Sequence, residues 1–242
     1  MTFWPIVKKD YPSEWIVDVH SHLVPGVDDG VKSVEEAVEI IQFLSQRGIR
    51  RIITTPHIYP DVYPNTENQL IKAFEQVRSR IDSLGLDVEI ELAAEYFMHA
   101  ELLKKLENNR PLLGFGKDRN ILLETAFQDQ PRIWEHVIFE LIVKGYKPVI
   151  AHPERYNYVA ENPEVVRGWR EQGIKTQINI PSILGAYGSK VRATAQMLIK
   201  KGWVDMIGSD IHRLDQISLL EKVKTSKLFY QASLLAGNSN LL

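Results

Sequence analysis

Residues 15–57 read WIVDVHSHLVPGVDDGVKSVEEAVEIIQFLSQRGIRRIITTPH and contain one complete unit of the fold. An apolar run over residues 15–22 turns polar at His20-Ser-His22, as a strand does where it leaves a core. Ser33-Val-Glu-Glu36 then offers a capping box ahead of Val34, Ala37, Val38, Ile41 and Leu44, which recur at helical spacing until Gly48. A β-branched run over residues 49–57 starts the next strand. Strand, helix, glycine and strand in this order are the marks of a βα unit, whose strands pair in parallel.

The pattern repeats along the chain. Thr66-Glu-Asn-Gln69 caps a helix with Leu70, Phe74, Val77 and Ile81 on one side and Gly85 as its stop. Residues 87–96 read as strand three, 100–108 as a short helix, 111–120 as loop and 120–127 as strand four. Pro131 suits the first turn of a helix running to Gly145, and residues 147–151 restore strand character. Asn162-Pro163 opens another helix; residues 174–180, 189–201 and 204–209 follow as strand, helix and strand, with a last helix from about Leu214. No composition break interrupts the series, which predicts one α/β domain over residues 1–242 built of seven βα units. Seven units can form an open doubly wound sheet or close as a distorted (β/α)7 TIM-like barrel. Gly114-Phe-Gly116 is a lone GxG ahead of a strand, the wrong order for a dinucleotide site.

Composition narrows the function. The 242 residues are 44% hydrophobic and 25% charged, an ordinary globular balance that excludes disorder. With 29 Lys+Arg against 31 Asp+Glu the net charge is −2, and no basic block offers a footprint for nucleic acid or an anionic membrane. The absence of cysteine excludes disulfides, thiolate metal sites and a cysteine nucleophile. Residues 1–10 lack the apolar segment of a leader and no stretch approaches a membrane span, so no membrane insertion and a cytoplasmic location are expected.

The polar residues are not scattered. Five of the seven histidines, His20, His22, His57, His152 and His212, fall at the carboxyl ends of predicted strands, with Asp28, Asp29, Glu95, Glu124, Asn179 and Asp210. In a βα barrel those ends form the one face where active sites are built, so residues distant in sequence converge there. The i, i+2 spacing of His20/His22 and Asp210/His212 sends each pair to one face of a strand. Mixed imidazole and carboxylate ligands without thiolate point to a multinuclear hydrolytic metal site. Asp18 shares the His20 face by alternation and is expected to orient a histidine. Each residue alone has a plain structural reading: a hydrogen-bonded histidine, a rim carboxylate, or turn chemistry at Asp28-Asp29-Gly30. The joint placement favours the metal site. His99 and His136 lie at or in helices and are set aside as surface or packing residues, and the five tryptophans are read as packing. Tyr59 and Tyr63, in a loop beside His57, are candidate substrate walls. Arg155, three residues past His152, offers a planar fork for a phosphoryl group, with a salt bridge to Glu154 or another carboxylate as its structural alternative.

In motif order, Asp18-Val-His-Ser-His22, Pro25-Gly-Val-Asp-Asp-Gly30, Thr54-Thr-Pro-His57, Ala94-Glu95, Ile121-Leu-Leu-Glu124, Ala151-His-Pro-Glu-Arg-Tyr156 and Gly208-Ser-Asp-Ile-His212 resemble the PHP (polymerase and histidinol phosphatase) superfamily. Within it, the set resembles the bacterial protein-tyrosine phosphatases of the CpsB/YwqE type, over about residues 16–213. The resemblance implies a distorted barrel of seven βα units with three divalent ions, commonly manganese, iron or zinc. It assigns His20, His22, Glu95 and Asp210 to one ion, Glu95 with Glu124 and His152 to a second, and Asp29, His57 and His212 to a third. Arg155 matches the phosphate-binding arginine, with Asp210 and His57 beside it in the catalytic set. Such phosphatases often carry another arginine a few residues past the last histidine, whereas here Arg213 follows at once as the candidate substrate contact. The implied reaction is hydrolysis of phosphotyrosine by a hydroxide bridging the ions, without a covalent intermediate. The implied substrate is a tyrosine-phosphorylated autokinase controlling capsule or exopolysaccharide synthesis. Alternatives are a small-molecule phosphatase acting on histidinol phosphate, a metal-dependent amidohydrolase, and a non-catalytic metal-binding module. Amidohydrolases commonly end strand four in lysine, where this chain has Glu124.

Overall fold

Seven strand positions run parallel in chain order, each handing the chain to one or more helices. The structure is a computed structural model describing Tyr11 and residues 15–241; residues 1–10, read for a leader segment in the sequence, lie outside the described residues. Position one is β1 (Val17–Asp18), followed by α1 (Val34–Gln46). Position two is split into β2 (Arg51–Thr54) and β3 (His57–Ile58), followed by α2 (Glu67–Leu84). Position three is split into β4 (Glu89–Leu92) and β5 (Glu95–Phe97), followed by α3 (Ala100–Glu107). Then come β6 (Asn120–Glu124) with α4 (Trp134–Val143), and β7 (Lys147–Ala151) with α5 (Asn157–Glu161) and α6 (Glu164–Glu171). The last two are β8 (Lys175–Asn179) with α7 (Ile180–Leu184) and α8 (Ser189–Lys200), and β9 (Met206–Gly208) with α9 (Ile217–Leu220) and α10 (Lys227–Leu235).

Two parallel ladders result, β1-β2-β4 and β3-β5-β6-β7-β8-β9. Because β2/β3 and β4/β5 are halves of two strand positions, the ladders are two ends of one ring. Its first and last positions meet where Ser21 bridges Ile211, the His22 N–H donates to the Ile211 carbonyl at 2.9 Å, and the Asp210 N–H donates to the His20 carbonyl at 2.7 Å. The ring is a distorted (β/α)7 barrel.

The distortions correct the sequence reading. The strand expected over 15–22 pairs regularly only at Val17–Asp18, and that expected over 49–57 breaks because Pro56 has no N–H to give a ladder. Its carbonyl instead accepts from the Glu95 N–H at 3.1 Å. The strand expected over 87–96 breaks at Ala93 and Ala94, and that expected to reach residue 127 stops at Glu124. The helix expected from Pro131 begins at Trp134. Helices α5 and α7, five residues each, are too short to show a period and were not anticipated.

Local signals held where they were strong. Thr66 and Gln69 form the full capping box, Gly85 ends α2 in the left-handed region at φ 61°, and Leu70, Phe74, Val77 and Ile81 are the buried face. Only half of the Ser33 box forms: Ser33 accepts from the Glu36 N–H, but the Glu36 carboxylate takes the Lys32 N–H at 2.9 Å. Val17, Val19, Ile53, Phe115, Leu122 and Val149 fill the ring interior, while the larger core lies between the strands and the helices. Since Val17 and Val19 face inward, Asp18 between them faces the other way.

Candidate metal centre

The carboxyl ends of the strand positions place nine residues around one floor. His20 Nε2 lies 3.2 Å from His22 Nε2, 3.2 Å from Glu95 Oε2 and 3.2 Å from Asp210 Oδ1. Glu95 is central: its Oε1 is 3.1 Å from His152 Nε2 and its Oε2 is 3.2 Å from His57 Nδ1. Glu124 lies beyond, 3.6 Å from His152 Nε2 and 3.8 Å from His57 Nδ1. At the mouth, Asp29 Oδ1 is 3.7 Å from His57 Nε2 and 3.6 Å from His212 Nε2. Three groups have ligand atoms close enough to share an ion: His20/His22/Glu95, His57/Glu95/Glu124, and His22/Asp29/His57/His212. His57 thus presents one ring nitrogen to each of two groups, where the resemblance gave it to one.

Residues that sequence reasoning passed over hold this floor in place. Asp28, read as turn chemistry, sits 2.8 Å from His22 Nδ1 through Oδ2, accepts the His57 N–H at 3.0 Å and takes the Gly30 N–H on its other oxygen. It therefore leaves His22 Nε2 free to face the floor. Gln177 Oε1 does the same for His20 Nδ1 at 2.8 Å, and its amide continues to Asn179, which donates to Asp210. Asp18 does not orient a histidine; it accepts the N–H and hydroxyl of Ser209 at 2.7 and 2.6 Å and so ties position one to position seven. His152 (φ 33°) and Asp210 (φ 50°) are two of the four non-glycine residues in the left-handed region among the described residues, a cost met by surrounding bonds and typical of functional sites. Gly208 is required by close approach, because a Cβ there would lie 2.6 Å from the His20 Cβ.

Electrostatics fit a cation site. Burial alone raises a carboxyl pKa, but His20 and His57 outweigh it and hold Glu95 well below the ordinary carboxylate range. Asp210 is held down in the same way by His20, His22 and His212. Glu124 goes up, driven by burial and then by the negative charges of Glu95 and Asp210. His20 rises to about 9, since Glu95 and Asp210 together overcome its burial, while burial and then Arg155 push His152 down to about 4. Three buried carboxylates are faced, among the described residues, by imidazoles and the single guanidinium of Arg155, and the buried Nδ1 atoms of His57 and His152 make no hydrogen bond. Imidazole and carboxylate donors in this arrangement suit divalent transition ions.

Above the floor opens a cavity of about 330 Å³. Tyr59 and Tyr63 both line it, Tyr59 stacked on Phe97 at 3.9 Å and Tyr63 on His57 at 5.3 Å between centroids. Arg155 reaches Asp210 Oδ2 at 3.4 Å and does not pair with Glu154, whose buried carboxyl accepts the Asn179 N–H. Arg213 stands at the rim beside Asp215. Two further lining residues, Phe127 and Tyr187, had no sequence signal. His99 is outside the cavity and caps α3, accepting the Glu101 N–H; His136 is exposed on α4.

Residues 16–219 match the model of the family described as capsular polysaccharide synthesis, CpsB/CapC. The chain belongs to the CpsB/CapC family. Among its relatives in that family, tyrosine-protein phosphatase YwqE of Bacillus subtilis is 31% identical over 94% of this chain and 91% of its own length. Tyrosine-protein phosphatase CpsB of Streptococcus pneumoniae is 30% identical over 83% and 84%. A crystal structure reported for YwqE and CpsB as unique metal-dependent tyrosine phosphatases superposes with a TM-score of 0.79, covering 93% of this chain and 94% of that one at 30% identity. An amidohydrolase from Mycoplasma synoviae, 14% identical with a TM-score of 0.53, shares the fold alone.

Proposed function

We propose that this chain is a metal-dependent protein-tyrosine phosphatase acting on a tyrosine-phosphorylated protein of polysaccharide synthesis. The observation that carries this reading is the floor of nine His, Asp and Glu residues with Arg155 beside it, in a member of the CpsB/CapC family. His20, His22, Glu95 and Asp210 would hold one divalent ion, Glu95, Glu124 and His152 a second, and Asp29, His57 and His212 a third. Manganese, iron and zinc all suit these donors. Such ions supply an activated water and neutralise charge on the phosphoryl oxygens.

The chain's own groups do the rest. Arg155 grips non-bridging phosphoryl oxygens, and Asp210 meets one edge of its guanidinium at 3.4 Å. Asp28 and Gln177 hold the two histidines of the first strand position in one orientation through repeated turnover. Tyr59 and Tyr63 wall the cavity on the His57 side, and Arg213 at the rim meets the flanking peptide. A tyrosine autokinase is the partner that the motif resemblance favours. No helix among the described residues is long and apolar enough to cross a membrane.

The test is hydrolysis of a phosphotyrosyl peptide and of histidinol phosphate in parallel, before and after chelation, with manganese, iron or zinc added back. The expected result is peptide hydrolysis lost on chelation, restored by metal and well above the rate on histidinol phosphate. Full activity after chelation overturns the metal reading. Equal or greater efficiency on histidinol phosphate overturns the choice of substrate, and no turnover with any metal leaves a binding module.

A further inference from the structure

Arg155 is gripped by more than Asp210. Its Cζ lies 4.9 Å from the centroid of Phe127 and 4.6 Å from that of Tyr187, both inside cation–π range. The two rings come from unrelated places: Phe127 three residues beyond the end of β6, and Tyr187 in the turn between α7 and α8. That turn is bounded by Gly185 and Gly188, both in the left-handed region at φ 87° and 91°, a backbone that few other residues adopt without strain. Both rings line the cavity over the metal floor and remain about two-fifths exposed, 40% for Phe127 and 37% for Tyr187. Phe127 also meets His152 edge-on at 6.2 Å, so it borders the floor as well as the arginine. The Tyr187 hydroxyl has no hydrogen-bond partner among the described residues, and its ring packs against Arg155.

We infer that Phe127 and Tyr187 form an aromatic clamp that fixes the Arg155 guanidinium for phosphoryl binding and seats the aryl group of the ester. The inference rests on the phosphatase reading and deepens it. Asp210 contacts only one edge of the guanidinium, at 3.4 Å, and one long contact does not set the plane of a side chain with four rotatable torsions. Rings packed on the guanidinium do set it. A phosphoryl group held by the remaining donors places its ester substituent against the exposed parts of the same rings. A flat aryl group covers that apolar surface, whereas a short alkyl ester leaves it in water. Phe127 and Tyr187 are thus positioning residues for Arg155 and specificity residues for the substrate.

The experiment uses manganese-loaded protein and two readouts. Calorimetric titration with inorganic phosphate reports the pose of Arg155 without turnover. The ratio of kcat/KM for p-nitrophenyl phosphate to that for glycerol phosphate reports the aryl seat. F127L and Y187L should each weaken phosphate binding about three- to tenfold and lower the aryl-to-alkyl ratio, with metal content and circular dichroism unchanged. F127Y and Y187F, which keep a ring, should stay within about twofold of the parent. In an Arg155→Ala background, F127L and Y187L should have no further effect on phosphate affinity. Unchanged phosphate affinity in both leucine variants overturns the clamp, and so does a loss in Y187F as large as in Y187L, which would assign the effect to the hydroxyl. If the parent hydrolyses neither ester, the phosphatase reading fails, while the titration still decides whether the rings hold Arg155.

Discussion

Arg155 and Asp28 allow the proposed binding of substrate and the proposed binding of metal to be tested apart, at single residues. Among the described residues Arg155 makes no ion pair with Glu154; the carboxylate it meets is that of Asp210, inside the cavity, and two rings complete its surroundings. Removing a preorganised donor of this kind costs on the order of 100-fold in turnover. Arg155→Ala should therefore lower kcat by that order on a phosphotyrosyl peptide while metal content stays at the parent level, and Arg155→Lys should recover only part, because an ammonium cannot present the planar fork. Asp28 acts the other way. It touches His22 and the His57 backbone but lines no part of the cavity. Loss of such a supporting carboxylate typically weakens metal binding about 10- to 100-fold. A metal titration of Asp28→Ala should show that loss with the circular dichroism spectrum retained, and His136→Ala, exposed on α4, should titrate like the parent.

Helices and strands set the stage at the next scale, and their contributions can be measured apart from chemistry. Helix α2 buries Leu70, Phe74, Val77 and Ile81 and starts on the reciprocal Thr66/Gln69 bonds. Thr66→Ala leaves the first-turn N–H groups short of an acceptor and should cost about 1 kcal/mol in denaturant unfolding, with kcat and KM unchanged. The strand breaks have the opposite character. Pro56 ends β2 early and lets His57 begin a separate short strand, and the left-handed backbones of His152 and Asp210 turn two more side chains onto the floor. A barrel of unbroken strands would point alternate residues inward at fixed intervals and could not bring so many ligand-type side chains to one level.

For the whole molecule, folding assembles a cluster of buried carboxylates, so cation binding and stability are linked. At a free ion concentration about a hundred times its Kd, one bound ion adds roughly 2.7 kcal/mol. Chelation should lower Tm, and manganese added back should raise it in a concentration-dependent way. The pH dependence has a definite sign. His20, raised to about 9 by Glu95 and Asp210, carries a proton at neutral pH that must leave before the nitrogen can bind a cation. Stabilisation by added metal should therefore grow from about pH 6.5 to 8.5. Thermal melts at fixed metal concentration across that interval check it, and a flat or falling response would remove His20 from the cation site.

Seven βα units, the buried stripe of α2 and the gathering of histidines and carboxylates at strand ends were all legible in the sequence. Each is written in residues a few positions apart, where periodicity, caps and glycine stops act locally. What was not legible depends on residues far apart in the chain. Asp18 shares a parity with His20 on paper, yet Val17 and Val19 fill the barrel and turn it to Ser209, across the seam that joins the first and last strand positions. Asp28 looked like its neighbour Asp29 until the fold put the first against His22 and the second at the cavity mouth. Phe127 and Tyr187 carry no motif and meet Arg155 only because two separate turns bring their rings to it. Local pattern reports which face of an element is apolar, since that is a property of its own side chains. Direction past a strand break and partnership across the ring come from left-handed backbone and long-range hydrogen bonds, which form only when the chain has closed.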